Sequence, residues 1–272
     1  MPNDEKQDEV LDVFHHCWKL FFPGKLYLAP INRPERVHDI GTGTGIWAIE
    51  IAEKFPNAKV TGTDISPTQT DWVPPNLKFE VDDCNLESSF NHNIFDFIHA
   101  RDLSGCISDC YLFVKRQFDN LKRGGWFEYK ELSRGFKSDG SLKDCNWFNE
   151  WGNLWKEAGS ISKRPFTMAE DGTMEEVMKR AGFENIVVCN YKMPVGRWPK
   201  GKRLKEIGEY HRHALTYDLE GFVQRAATKV GWEHQKVIVF ASEVRRGLRS
   251  PKHHLWREAT VIYGQKPYDD PC

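Results

Sequence analysis

Two carboxylates and three alternating glycines carry the strongest chemical signal in this chain. They lie in Val37-His38-Asp39-Ile40-Gly41-Thr42-Gly43-Thr44-Gly45 and in Lys59-Val60-Thr61-Gly62-Thr63-Asp64. A glycine turn lets backbone come close to a ligand, and a helix behind it aims unpaired N–H groups at an anionic part of that ligand. An acid closing the second strand suits both hydroxyls of a ribose. Together they point to a small-molecule cofactor that contains a nucleoside. The spacing is D-x-G-x-G-x-G, not the G-x-G-x-x-G by which dinucleotide folds approach a pyrophosphate, which disfavours an NAD-dependent oxidoreductase.

Further candidates stand where other apolar runs end. Asp82, Asp83 and Cys84 follow Leu77-Lys78-Phe79-Glu80-Val81, and a helix cap or solvated turn is the plain alternative for the two acids. His99 ends Phe95-Asp96-Phe97-Ile98-His99, and imidazole has the unperturbed pKa best suited to a general base. Arg101 follows it, Glu131 closes the next run, and His15 and His16 lie on an N-terminal amphipathic segment. Each also has a structural explanation: a satisfied core histidine, an ion-pair partner, a solvated strand end and a helix surface. His211 and His213 are two apart, which splits them between helix faces, and Cys106 and Cys110 lack a second pair, so no metal site is expected.

The elements needed to position these groups read as alternating strand and helix. Ala48, Ile51, Ala52 and Phe55 space as one helix face directly behind the glycines. Ile107, Tyr111, Val114, Phe118 and Leu121 make another, which Gly124-Gly125 is expected to stop at a C-cap before the strand Trp126-Phe127-Glu128-Tyr129. Repeated β/α units imply right-handed crossovers and a ligand crevice at the carboxyl ends of the strands, where Asp64, Asp82 and Asp83 fall. Trp147, Trp151, Leu154, Trp155 and Ala158 form an aromatic helix face, and Met174, Val177, Met178 and Ala181 a further one. A sixth strand is expected at 183–189 and the final one at 259–264.

The 272 residues fit one large α/β domain. A formal net charge of −1 and no dense basic stripe leave nucleic acid an unlikely direct ligand. Seven cysteines without framework spacing suggest free thiols in a reducing compartment. The polar, acidic N-terminus lacks the basic start of a secretory signal, and the apolar stretch 10–22 is too short to span a bilayer. A soluble cytoplasmic protein without membrane contact is expected.

The chain resembles class I S-adenosylmethionine-dependent methyltransferases, whose motif I has the D-x-G-x-G-x-G pattern. More closely, it is similar to the fungal secondary-metabolism group of the LaeA type. The similarity rests on Gly24-Lys25-Leu26-Tyr27-Leu28-Ala29-Pro30, Gly45-Ile46-Trp47-Ala48, Gly62-Thr63-Asp64-Ile65-Ser66-Pro67, Trp72-Val73-Pro74-Pro75-Asn76, Phe97-Ile98-His99-Ala100-Arg101, Gly124-Gly125-Trp126-Phe127-Glu128 and Gly196-Arg197-Trp198-Pro199-Lys200. These landmarks run in the family's order over nearly the whole length. The resemblance implies a Rossmann-like α/β fold with a seven-stranded, mostly parallel sheet and flanking helices, and S-adenosyl-L-methionine as cofactor. It implies cofactor contacts at Asp39, Gly41, Thr42, Gly43, Gly45, Trp47, Asp64, Ile65, Asp82, Asp83, Cys84 and Ala100, with Asp83 on the adenine amino group.

Residues 1–30 would then be a lid segment of a single domain 1–272, and residues 198–254 an insertion before the last strand that caps the methyl end of the cofactor. Extra packing on the sheet edge is the alternative. His15, His16, Tyr27 and Arg101 would face the acceptor, and His99 and Glu131 are the candidate catalytic groups. The leading function is in-line methyl transfer to a small-molecule acceptor, which the resemblance implies is a secondary metabolite. A regulator or scaffold that binds the cofactor and works through protein partners, with access to the nucleus, is the second. An enzyme that keeps the cofactor while catalysing another reaction ranks last.

Overall fold

The computed structural model describes residues 5–87, 89–140, 142, 145–168 and 170–268. In chain order the elements begin with α1 (Glu5–Phe21), β1 (Arg36–Ile40), α2 (Ile46–Lys54), β2 (Lys59–Asp64), β3 (Leu77–Val81), β4 (Phe95–Arg101), α3 (Cys110–Asn120) and β5 (Leu121–Leu132). They continue with β6 (Lys137–Ser138), α4 (Asn146–Ser162), α5 (Thr173–Ala181), β7 (Glu184–Pro194), α6 (Lys202–Tyr217), α7 (Leu219–Lys229), α8 (His234–Arg249) and β8 (Leu255–Gln265). The chain divides into two compact units, one of Lys25–Glu131, Met168–Asn190 and Thr260–Cys272, the other of Met1–Gly24, Leu132–Thr167 and Tyr191–Ala259.

The first unit is built on strands in the order β3-β2-β1-β4-β5-β8, with β7 pairing β8. β1 runs parallel to β2 and β4, β2 parallel to β3, and β4 parallel to β5. Both faces are covered, so the inner strands read as near-continuous apolar runs. Val37, Val60 and Phe97 meet Trp47, Ala48, Ile51 and Ala52 of α2 on one side. Ile40, Ile98, Phe127 and Tyr129 meet Phe113 and Val114 of α3 and Met174 and Met178 of α5 on the other. Burying each such side chain is worth about 1.5–3 kcal/mol, which fixes the strand register and with it the rim where β1, β2 and β4 end.

One element departs from expectation. Gly124 and Gly125 do not cap α3; that helix ends at Asn120 with Leu121 as its cap, and β5 starts at Leu121 and runs on through both glycines. The pairing with β4 jumps from Phe95↔Leu121 to Phe97↔Trp126, so the glycines sit in a bulge.

The second unit is mainly helical. Trp147, Trp151, Leu154 and Trp155 of α4 share a core with Leu219 and Val223 of α7 and Val237, Phe240 and Val244 of α8. The N-terminal helix lies on α6: the Cys17 thiol approaches the Ile207 carbonyl at 4.0 Å, Phe14 meets His211 edge-on, and His16 meets Tyr210. The stretch 198–254 is thus three helices. β6 pairs antiparallel with the Leu255 and Trp256 end of β8, making eight described strands where seven were expected.

Candidate cofactor-binding site

Loop 41–45 connects β1 to α2 and is held from several sides. Thr42 N–H donates to the Thr63 carbonyl at 2.9 Å, and Asp64 Oδ2 accepts from Gly43 N–H at 3.0 Å while Oδ1 accepts from Ser66 N–H at 3.1 Å. The Gln69 amide donates to the Gly43 and Ser66 carbonyls at 2.6 and 3.0 Å. Gly45 has φ +82°, and a Cβ there would lie 2.3 Å from the Phe79 ring. No residue with a side chain keeps this loop's path, which ends at the bare first turn of α2 with no side-chain cap.

Beneath the loop Asp39 is buried, accepting from the Thr42 hydroxyl at 2.6 Å and from His99 Nδ1 at 2.8 Å. Burial raises its carboxyl to about 6, against the opposing pull of the Thr42 hydrogen bond and of the Arg101, His38 and Lys130 charges. His99 is held well below the ordinary histidine value by burial first, then by the Lys130 charge. It is therefore neutral at pH 7, and the carboxylate assigns the proton to Nδ1. Trp47 stacks on the His99 ring with centroids 3.7 Å apart.

Trp47 and Lys130 both donate to the Leu26 carbonyl, at 3.0 and 2.7 Å. Lys130 pairs with Glu128 Oε1 at 3.1 Å, and Glu128 Oε2 accepts from the Leu28 and Ala29 N–H groups at 2.6 and 2.7 Å. Two charges inside a strand thereby fasten residues 26–29 under the loop. Sequence reading passed over both, although Glu and Lys alternating within an apolar strand was the available signal.

Of the sequence-derived candidates, Asp39, Gly41, Thr42, Gly43, Gly45, Trp47, Asp64 and Ile65 converge on this corner. Asp82 N–H donates to the Asp64 carbonyl at 3.0 Å, and Asp82, Asp83 and Cys84 line a hollow of about 20 Å³ with Ile40 and Thr63. Burial pushes the Cys84 thiol up to about 12, so it is a neutral wall rather than a nucleophile. Asp83 Oδ1 accepts from the Asn85 backbone and amide, a local turn. Ala100 is fully buried in the core beside Ile40, so only its backbone is at the strand end.

The remaining candidates each have surroundings of their own. Tyr27 packs on Phe55 and Phe97 beneath the Lys54 ammonium, toward the far end of α2 from the glycines. Arg101 is half-buried with Asp102 at 3.9 Å. Glu131 is interior, accepting from Ser104 N–H at 3.0 Å and the Tyr129 hydroxyl at 2.6 Å. His15 and His16 belong to the helical unit, His15 buried and His16 against Tyr210. No cluster of His, Cys, Asp or Glu suited to a metal occurs among the described residues.

The corner fits a nucleoside cofactor with an amino-acid tail. Asp64 retains acceptor capacity after its two backbone bonds, and Ile65 beside it is 66 % exposed, an apolar surface at a polar rim for a flat base to cover. A parallel α/β sheet with an acid-flanked glycine loop and a second acid after β2 defines the class I methyltransferase architecture.

Comparison with known proteins agrees. A model of the methyltransferase domain matches residues 15–188, and the chain belongs to that family. It is 35 % identical over 271 residues to the methyltransferase pytC of Aspergillus terreus, covering 98 % of this chain and 83 % of that one. It is 29 % identical over 277 residues to the secondary metabolism regulator LAE1 of Cochliobolus heterostrophus, covering 98 % and 89 %. Among solved structures it resembles Haemonchus contortus phosphoethanolamine N-methyltransferase 2 in complex with S-adenosylhomocysteine, at TM-score 0.54 and 20 % identity, over 98 % of this chain and 60 % of that one. The cofactor is S-adenosylmethionine.

Proposed function

We propose that this methyltransferase acts on a small-molecule acceptor of fungal secondary metabolism. The likeness to pytC across 98 % of the chain carries the reading. Bound S-adenosylmethionine supplies a methyl group on a cationic sulfur, whose departure leaves a neutral thioether. The protein's task is then alignment and exclusion of water more than acid chemistry. The loop 41–45 and the first turn of α2 would receive the cofactor's carboxylate, Asp64 the ribose hydroxyls, Ile65 a face of the base and Asp83 its amino group.

His99 and Glu131, candidates for proton transfer, are in this reading positioning residues. Each is about 1 % exposed and spends hydrogen bonds on its neighbours: His99 on Asp39, Glu131 on Ser104 and Tyr129. His15, His16, Tyr27 and Arg101 are the acceptor-side candidates in this reading. The six described cysteines are free thiols, which supports a reducing, cytoplasmic setting. No helix among the described residues is long and apolar enough to cross a membrane.

The likeness to LAE1 supports a second reading, a regulator that works through protein partners and reaches the nucleus. Incubation with methyl-labelled cofactor and fungal extract decides between them. Label in the small-molecule fraction, lost in Asp64→Ala, supports the first; label only in protein, or none with partners retained, supports the second.

A further inference from the structure

Arg134, two residues beyond β5, is a nearly buried cation with no counter-ion among the described residues. It is 8 % exposed, and its Nε is buried without a hydrogen-bond partner. No side-chain hydrogen bond or ion pair joins it to any carboxylate among the described residues. Its guanidinium instead lies 5.3 Å from the Phe222 ring centroid, 5.7 Å from Trp155 and 5.9 Å from Phe166. The Trp155 indole Nε1 is also buried without a partner. Two N–H donors, one of them charged, therefore go unanswered in a single aromatic cage.

The cage is rigid. Trp155 packs edge-on against Phe166 and Phe222 at 5.2 and 5.3 Å, and Trp151 stacks on Phe222. The Trp151 indole donates to the Arg134 carbonyl at 2.6 Å, pinning the backbone from which the guanidinium extends. All of these residues belong to the helical unit. Cation–π attraction alone does not replace the hydrogen bonds a guanidinium makes in water, and buried donors of this kind are rarely left unpaired.

We infer that Arg134 and Trp155 form a binding site for a planar aromatic molecule bearing one carboxylate. The carboxylate accepts from the guanidinium in its fork geometry and from the indole N–H, and the aromatic body lies against Phe166 and Phe222. A monoanion balances the single positive charge, whereas a phosphate dianion would leave surplus charge among three apolar rings. The site owes nothing to the glycine loop, so it stands or falls separately from the cofactor reading.

Calorimetric titration of the full chain with 2-naphthoate, in the absence of cofactor, tests it. Saturable one-site binding is expected, at least tenfold weaker for the neutral isostere 2-naphthamide. Arg134→Gln and Trp155→Phe each lower 2-naphthoate affinity at least tenfold. Trp155→Phe keeps a ring in the cage and removes only the N–H, so it decides the matter if Arg134→Gln does not fold. No saturable binding, as when a single water answers both donors, overturns the inference. So does equal affinity for the amide, or wild-type affinity in a folded variant. S-adenosylhomocysteine titrated into the same variants should bind as in wild type; its failure to bind any form would strike the methyltransferase reading and leave this site untouched.

Discussion

Trp47 lies flat on His99, the two planes within 8° and the ring centroids 3.7 Å apart. One residue comes from the first turn of α2 and the other from the end of β4, so the stack ties the cofactor loop's helix to the neighbouring strand. It also seals the Asp39–His99 hydrogen bond from water. Trp47→Ala removes a fully buried ring, and a loss of about 3–5 kcal/mol in unfolding free energy is expected in urea. His99→Phe keeps the stack but strands an Asp39 oxygen; about 1–3 kcal/mol is expected, with weaker cofactor binding. Unchanged stability in His99→Phe would remove the positioning role.

Asp64 holds the glycine loop through Gly43 and the following turn through Ser66, and is the acceptor left for the ribose. Asp64→Ala should weaken S-adenosylhomocysteine binding by roughly tenfold to a hundredfold in calorimetry, the worth of about 1.5–3 kcal/mol in charged hydrogen bonds. Circular dichroism should show the fold retained.

Gly45→Ala meets both an unfavourable φ and the Phe79 ring. A cost of about 1–3 kcal/mol and a fall in cofactor affinity are expected. Adding Phe79→Ala relieves the clash and not the backbone, so thermal unfolding of the double variant should recover only in part.

Stability should fall as pH drops from 7 to 5. Burial holds His38 at about 4 and His211 at about 3, the latter helped by the Arg257 charge. The unfolded chain takes up those protons near 6.5 and the native one does not, so each histidine costs about 2 kcal/mol at pH 5. His99 acts in the same direction. Asp39 opposes them: its native value of about 6 lies above its ordinary one, so protonation favours the folded form and returns about 1 kcal/mol. His211→Asn should reduce the loss measured by urea midpoints at the two pH values. An equal loss in that variant would assign the acid sensitivity to other groups.

The parallel sheet, the glycine loop and the acids at its rim were readable from the chain because they are local patterns. Asp39, Gly41, Gly43, Gly45 and Asp64 lie within 26 positions, and each strand announces itself by its own residues. What escaped reading depends on distant partners. Glu128 and Lys130 make sense only once residues 26–29 lie beside them, and Arg134 only once Trp155, Phe166 and Phe222 surround it. His99 could be read either as a general base at a strand end or as a satisfied core histidine; Trp47, 52 residues earlier, covers it and makes it the latter. Gly124 and Gly125 misled because a glycine pair after a helical pattern signals a cap as readily as a bulge.

The Glu128–Lys130 pair is open to direct test. Glu128→Gln or Lys130→Met alone leaves a buried charge without its opposite and should cost about 3–5 kcal/mol, whereas the double variant should recover much of that. Thermal unfolding of the wild type and the three variants gives the coupling.

The same pair makes residues 26–29 a structural plug rather than a connecting leader. Shortened versions of this chain should therefore tolerate a start before Leu26 far better than one after Ala29, where two opposite charges in the central sheet would lose the peptide groups that solvate them. Where a chain like this may be trimmed is decided by an acid and a base a hundred residues downstream of the cut.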